Sequence, residues 1–272
     1  MKPIESVFTL TICLLVITIS ACSPNNVNID NSLKTYFDSN NVEGCFALYD
    51  NSKNEFTIYN LERYRDSAYT PASTFKIVNS LIALKTGRVF DEKEVIKWDG
   101  TTRSNSQWNQ DLSLEQAFKF SSASHYQEIA RRIGMDTMQV WLDSLDYGNK
   151  KISKIDSFWL DNSLKITPDE QLGLVKRLYF EQLPIDKRPQ RIVKQMMLFE
   201  DNANYKLSYK TGWGFTEDGK GLGWIVGWIE ENKRPYFFVL NVEGPRETDM
   251  MKVRMNILRG ILNKYGFFKG NK

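Results

Sequence analysis

The sequence predicts an α+β fold, an antiparallel sheet flanked by N- and C-terminal helices, with a helical lobe inserted between its early and late strands. Three observations carry the prediction. Residues 45–49 (CFALY) and 55–59 (EFTIY) have strand composition and are separated by 50–54 (DNSKN), which has the composition of a hairpin turn. Residues from about 113 to 199 carry helical patterning and two capping signatures. Strand composition then returns at 206–213, 223–229 and 236–242, and a basic amphipathic helix over 248–265 closes the chain.

Taken in order, the chain opens with Lys2 and an apolar run over residues 7–19, the length of a secretory h-region and short of a membrane span. The run ends in Ile19-Ser20-Ala21-Cys22, similar to a bacterial lipobox in which Cys22 takes a diacylglycerol, so residues 1–22 are expected to be a lipoprotein signal peptide. A plain signal peptide would export the chain equally. Residues 23–30, with Pro24 and a cluster of asparagines, read as a tether, and 31–272 as one folded domain beginning with a short helix over 31–40. Apolar residues at Phe75, Val78, Leu81 and Ile82 place a buried helix over 74–84, stopped by Gly87. Residues 91–111 are mostly polar and contain Trp98 and Trp108. The capping box Ser113-Leu114-Glu115-Gln116 opens the helical lobe, and Thr167-Pro168-Asp169-Glu170, with proline at the first helical position, starts another helix towards Phe180.

At 272 residues and 42% hydrophobic, the chain can bury a full core. Its 36 basic and 33 acidic residues leave a net charge of +3, which gives no case for nucleic acid as a partner. Of three cysteines, only Cys45 lies in the expected domain, so the domain has no internal disulfide, and Cys45 is expected to be a small buried hydrophobe in a strand. The single histidine, His125, excludes a histidine-rich metal centre and argues against a Ser-His-Asp triad. It is read as structural.

Ser73-Thr74-Phe75-Lys76 is the one Ser-x-x-Lys in the chain. At that spacing on a helix a lysine amine reaches the serine hydroxyl, a nucleophile beside a base. Burial next to Phe75 would favour the neutral amine. Ser121-Ser122-Ala123, Tyr147-Gly148-Asn149, Trp159 and Lys210-Thr211-Gly212-Trp213 follow in order. A second triplet, Lys85-Thr86-Gly87, belongs to the tail of the buried helix, where lysine and glycine are ordinary helix-end residues. Lys210 instead lies in a strand, whose alternation can turn it towards a site while Gly212 admits a substrate to the backbone.

This set resembles the class D (oxacillinase-type) serine β-lactamases, over about residues 43–264. The resemblance implies a serine β-lactamase/penicillin-binding-protein-like fold and hydrolysis of β-lactams through an acyl-enzyme on Ser73. It implies an oxyanion hole from the backbone N–H groups of Ser73 and Trp213, and proton relay by Ser121. Lys210, Thr211, Gly212 and Arg254 would hold the substrate carboxylate, although Arg246 and Arg259 lie nearby. It further implies no separately bound cofactor, but carbon dioxide taken up covalently as a carbamate on Lys76, held by the Trp159 indole. At Ala123, expected to line the substrate site, the family commonly has valine, and the smaller side chain is expected to pack the carbamate less well. The expected location is the periplasm, with a lipid anchor in the outer membrane. Two further readings use the same acylation chemistry: a penicillin-binding protein, and a sensor domain that is acylated without turnover. Monomer and homodimer both remain open, as does the range of β-lactams accepted.

Overall fold

The computed structural model describes residues 26–272. The expected lipobox and its Cys22 lie outside them. In order, the elements are β1 (Val27–Ile29), α1 (Lys34–Asp38), β2 (Glu43–Asp50), β3 (Glu55–Tyr59), α2 (Leu61–Asp66) and α3 (Lys76–Lys85). The lobe follows, with β4 (Val95–Ile96), β5 (Leu112–Ser113), α4 (Leu114–Lys119), α5 (Ala123–Ile133), α6 (Met135–Leu145), α7 (Pro168–Tyr179) and α8 (Lys187–Met197). The chain ends with β6 (Leu198–Asp201), β7 (Lys206–Phe215), β8 (Gly221–Glu231), β9 (Arg234–Gly244) and α9 (Met250–Lys264).

Seven strands form one sheet in the order β1-β3-β2-β9-β8-β7-β6, in which every pairing is antiparallel except that of β1 with β3. The early hairpin and the late strands therefore meet through β2 and β9. Alternation along the strands builds two cores. Phe46 and Leu48 of β2, Ile225 of β8 and Phe238 of β9 pack under α1 and α9, as the sequence predicts for the first and last helices. Cys45, Ala47, Trp224, Val226 and Val239 face the other way, into the larger core shared with α3 and the lobe. With nine of its ten residues buried, α3 runs through the centre of that core. An apolar helix with few polar faces has no other stable location.

Both capping boxes form, Ser113 with Gln116 and Thr167 with Glu170. Part of the segment expected to be a tether is strand: Val27–Ile29 pair in parallel with residues 56–58, because an edge strand offers free backbone groups to any extended neighbour. The helix expected over 74–84 begins later, at Lys76, and Ala72–Phe75 form a 3-10 turn before it.

Candidate active site

The 3-10 turn helps the pair it carries. At three residues per turn, side chains at i and i+3 eclipse, and Lys76 Nζ lies 2.8 Å from Ser73 Oγ. Ser73 is half-buried while Lys76 is only 1% exposed. Entry to the turn is bent at Ala72, whose φ of +48° lies in the left-handed region that a Cβ disfavours by about 1–2 kcal/mol. The bend is held from the lobe: the Ala72 N–H and the Thr70 hydroxyl both donate to the Trp159 carbonyl, at 3.0 and 2.9 Å. Burial with no charged partner pulls the Lys76 amine down from 10.5 to about 7. Its immediate surroundings are aromatic, with the Tyr126 ring centred 5.2 Å from Nζ and Phe75 stacked on Trp159 at 5.4 Å.

Ser121 sits where a glycine is expected. The Ser121 N–H donates to Phe118 O and the Ser122 N–H to Ala117 O, the two bonds of a Schellman motif that ends α4. Its left-handed position, normally glycine, is Ser121 with φ of +55°. Lys210 Nζ donates to the Ser121 hydroxyl at 3.0 Å and to its neighbour's carbonyl, Thr211 O, at 3.1 Å. Lys210 is buried, and every influence on it, burial first and then Lys76, Arg254 and Lys119, disfavours its charge and holds its titration well below the ordinary lysine range. Basic groups gathered without a carboxylate among them make a receptor for an anion, whose arrival would favour their protonated forms.

The loop over residues 146–166 closes the site. Gly148 has φ of +53°, and a Cβ there would lie 2.1 Å from Lys165 O, so only glycine fits. Asn149 ties the two ends together, accepting from the Lys165 N–H at 3.0 Å and donating to Ser163 O at 2.8 Å. This pinned loop carries Trp159, 1% exposed, whose indole N–H has no acceptor among the described residues. A buried N–H without a partner costs about 1–3 kcal/mol, which points to an acceptor supplied from outside the chain.

On β7 the alternation turns Lys210 and Gly212 to the lobe side, and a Cβ at Gly212 would come within 3.0 Å of Pro71 O. Half-buried Thr211 lies between them, and Trp213 is 48% exposed beside Phe215. Arg254 reaches from α9 on the opposite face and donates through Nη1 to Gly212 O, and its Nε has no partner among the described residues. Ala123 is the half-buried first residue of α5, next to Ser122 and two from Ser121. The other triplet lies apart: Lys85 pairs with Asp186 at 2.7 Å and Gly87 follows the end of α3 with φ of +66°.

Residues 35–263 match the penicillin binding protein transpeptidase domain family. A β-lactamase of Klebsiella pneumoniae, OXA-48, is 42% identical over 86% of this chain and 87% of its own. The chain belongs to the class D β-lactamases. A probable β-lactamase of Bacillus subtilis, YbxI, is 41% identical over 89% of this chain and 86% of its own. Among solved structures, the class D β-lactamase FUS-1 (OXA-85) of Fusobacterium nucleatum aligns with a TM-score of 0.84 at 34% identity, covering 89% of this chain and 100% of its own. The C-terminal domain of the Bacillus licheniformis BlaR penicillin receptor aligns with the same TM-score at 31% identity, covering 89% of this chain and 98% of its own.

The sequence left several supports of this β-lactamase site unread. Thr70 is held from both sides, its hydroxyl by Trp159 O and its carbonyl by the Trp224 indole at 2.9 Å, a contact 154 residues apart. Gln171 on α7 donates to the Thr74 hydroxyl at 2.7 Å, and the Tyr126 and Ser80 hydroxyls are paired at 2.7 Å behind Lys76. Contacts between residues so distant leave no local pattern. Only Gln171, polar on the buried side of an amphipathic helix, carried a signal that could have been read.

Proposed function

We propose that this class D enzyme opens β-lactams by acylation of Ser73 with Lys76 as base, and releases the product by hydrolysis of the resulting ester. The observation that carries the reading is the Ser73–Lys76 pair: a nucleophile open to the cleft beside an amine that burial keeps close to neutral. Ser73 Oγ attacks the lactam carbonyl carbon and its proton passes to the base at Lys76. The backbone N–H groups of Ser73 and Trp213 take the charge that develops on the carbonyl oxygen. As the carbon–nitrogen bond breaks, the Ser121 hydroxyl hands its proton to the leaving nitrogen and is resupplied through Lys210. Lys210, Thr211 and Arg254 draw in the substrate carboxylate, with Gly212 giving it room at the strand and Ala123 lining the cleft nearby. The proton taken from Ser73 passes from the base through Lys210 to Ser121. When water attacks the ester carbonyl it therefore gives a proton to the freed base at Lys76, which hands it to Ser73 Oγ as the ester bond breaks and the product acid leaves.

The site fits a carboxylated Lys76. The amine is dry and close to neutral, and the unpartnered Trp159 N–H offers a donor to the added carboxylate. Carbon dioxide bound there would supply the general base, with Trp159 holding it. A sensor that is acylated without turnover is the second reading, supported by the likeness to the BlaR receptor domain. At the other end of the chain, Cys22 is proposed as the lipid attachment site, tethering an exported enzyme to the periplasmic face of the outer membrane.

One assay separates these. The enzyme is expected to turn over a chromogenic penicillin many times, faster with added bicarbonate, and Ser73→Ala to form no covalent adduct by intact mass. A single stoichiometric acylation favours the sensor reading. Turnover indifferent to bicarbonate removes carbon dioxide from the mechanism. A mature N-terminus that carries no diacylglyceryl mass on Cys22 would exclude the lipid anchor.

A further inference from the structure

His125, the one histidine of the chain, is buried within four residues of Ser121 and has no part in the mechanism above. Its two ring nitrogens have different partners. Nε2 lies 3.1 Å from the carbonyl of Gln110, which can only accept, so Nε2 carries the proton. Nδ1 lies 2.7 Å from Ser122 Oγ, so in the neutral ring the hydroxyl donates to it. A cation at this place would sit at the N-terminus of α5, against the helix dipole as well as in a buried site, and the neutral form prevails.

The Ser122 hydroxyl is thereby diverted. Ser122 is the N-cap of α5, where a serine side chain ordinarily accepts from the first-turn N–H groups, yet it makes no such bond. It is tied instead to a ring anchored on the segment before β5. The same segment holds the other side of Ser121, since the Trp108 indole donates to Phe120 O at 3.0 Å. Ser121 is thus a strained left-handed residue with a clamp on each neighbour, both clamps reaching residues 105–111.

We propose that His125 is a positioning residue for Ser121: as the Nε2–H tautomer it bridges Gln110 and Ser122 and holds the left-handed turn that keeps the Ser121 hydroxyl on Lys210. The inference rests on the proton-relay reading of Ser121. It assigns to residue 125 a part in acylation, through geometry alone.

The test has two arms. With 15N-labelled histidine, the only imidazole gives two unambiguous nitrogen signals at mildly alkaline pH. A proton on Nε2 and none on Nδ1 is expected, and a proton on Nδ1 would overturn the assignment. In the second arm, pre-steady-state kinetics separate acylation from deacylation in His125→Leu, His125→Gln and Ser121→Ala. His125→Leu is expected to slow acylation by about 10- to 100-fold, as for a displaced catalytic group. His125→Gln, which keeps an N–H near Nε2, recovers most of it. In a Ser121→Ala background, His125→Leu is expected to cost nothing further, because the group it positions is gone. An equal further loss there, or no loss in the single variant, defeats the proposal. Should His125→Leu not fold, Ser122→Ala breaks the same link from the other side and is held to the same outcomes. If Ser121→Ala itself acylates at the parental rate, the relay reading fails and this inference with it. A slow Ser121→Ala beside a fast His125→Leu sinks the histidine assignment alone.

Discussion

Lys210 on the sheet donates to Ser121 at the tip of the lobe, 3.0 Å away across 89 residues of chain. The contact joins the two halves of the cleft and gives the Ser121 hydroxyl a partner that can exchange protons, since burial and the nearby Lys76 both disfavour a permanent charge on Lys210. Lys210→Met is expected to lower kcat/KM by about 100-fold or more, the range for loss of a proton-transfer partner. Arginine restores charge without an exchangeable proton near neutral pH. Lys210→Arg should therefore recover substrate binding, read as KM, and leave kcat low; full recovery of kcat by arginine would show that charge alone is needed.

A serine in the left-handed C′ position of α4 exchanges stability for chemistry. Glycine there would relieve a cost of about 1 kcal/mol, whereas alanine keeps the cost and loses the hydroxyl. Ser121→Gly is therefore expected to melt above Ser121→Ala by a few degrees, and both are expected to acylate slowly. Equal melting temperatures would mean that the surrounding contacts absorb the strain.

Lys76 gives the enzyme a pH signature of definite sign. Burial draws the amine down to about 7 in the folded protein from 10.5 for a free lysine, so between these limits the unfolded chain holds a proton that the native state does not. Stability then rises with pH across that window, and the penalty is complete below its lower edge. Without bicarbonate, Lys76→Met is expected to be more stable than the parent at about pH 6, by an amount on the order of a few kcal/mol, and the gap to close towards about pH 10. Denaturant midpoints across pH measure it. In the same window kcat/KM should fall as pH drops through about 7, as the base is lost.

How much of this was legible in the sequence depended on distance along the chain. Ser73 and Lys76 are one turn apart, and Gly148 and Asn149 adjoin, so their geometry follows from local rules. The strands around Lys210 were readable because Leu207, Trp224, Val226 and Val239 alternate or cluster as buried strand residues do. What brings Trp159 O to Thr70 and Ala72, or the Trp108 and His125 rings onto the segment around Ser121, is tertiary packing with no period. The strand at Val27–Ile29 was hidden for another reason, since its polar flanks match a linker and only the free edge of β3 recruits it.

Gly212 marks the point where the sheet and the Ser73 turn come closest. A Cβ there would sit 3.0 Å from the Pro71 carbonyl, 3.2 Å from the Thr74 methyl and 3.2 Å from Trp224 Cβ, and only the Thr74 side chain among these has any freedom to yield. Pro71 begins the turn that carries Ser73, and Arg254 fixes the Gly212 carbonyl from behind, so the strand cannot retreat without breaking that bond. The turn must give way instead. Gly212→Ala is therefore expected to cost about 1–3 kcal/mol of stability, the usual penalty for overpacking, and about 100-fold in kcat/KM through displacement of the Ser73 hydroxyl. Gly214→Ala serves as the control, because its Cβ would meet only the Ala72 and Thr70 methyl carbons, at 3.3 and 3.7 Å. It should lose less on both measures, and equal losses in the two variants would mean that glycine serves the strand rather than the approach to Ser73.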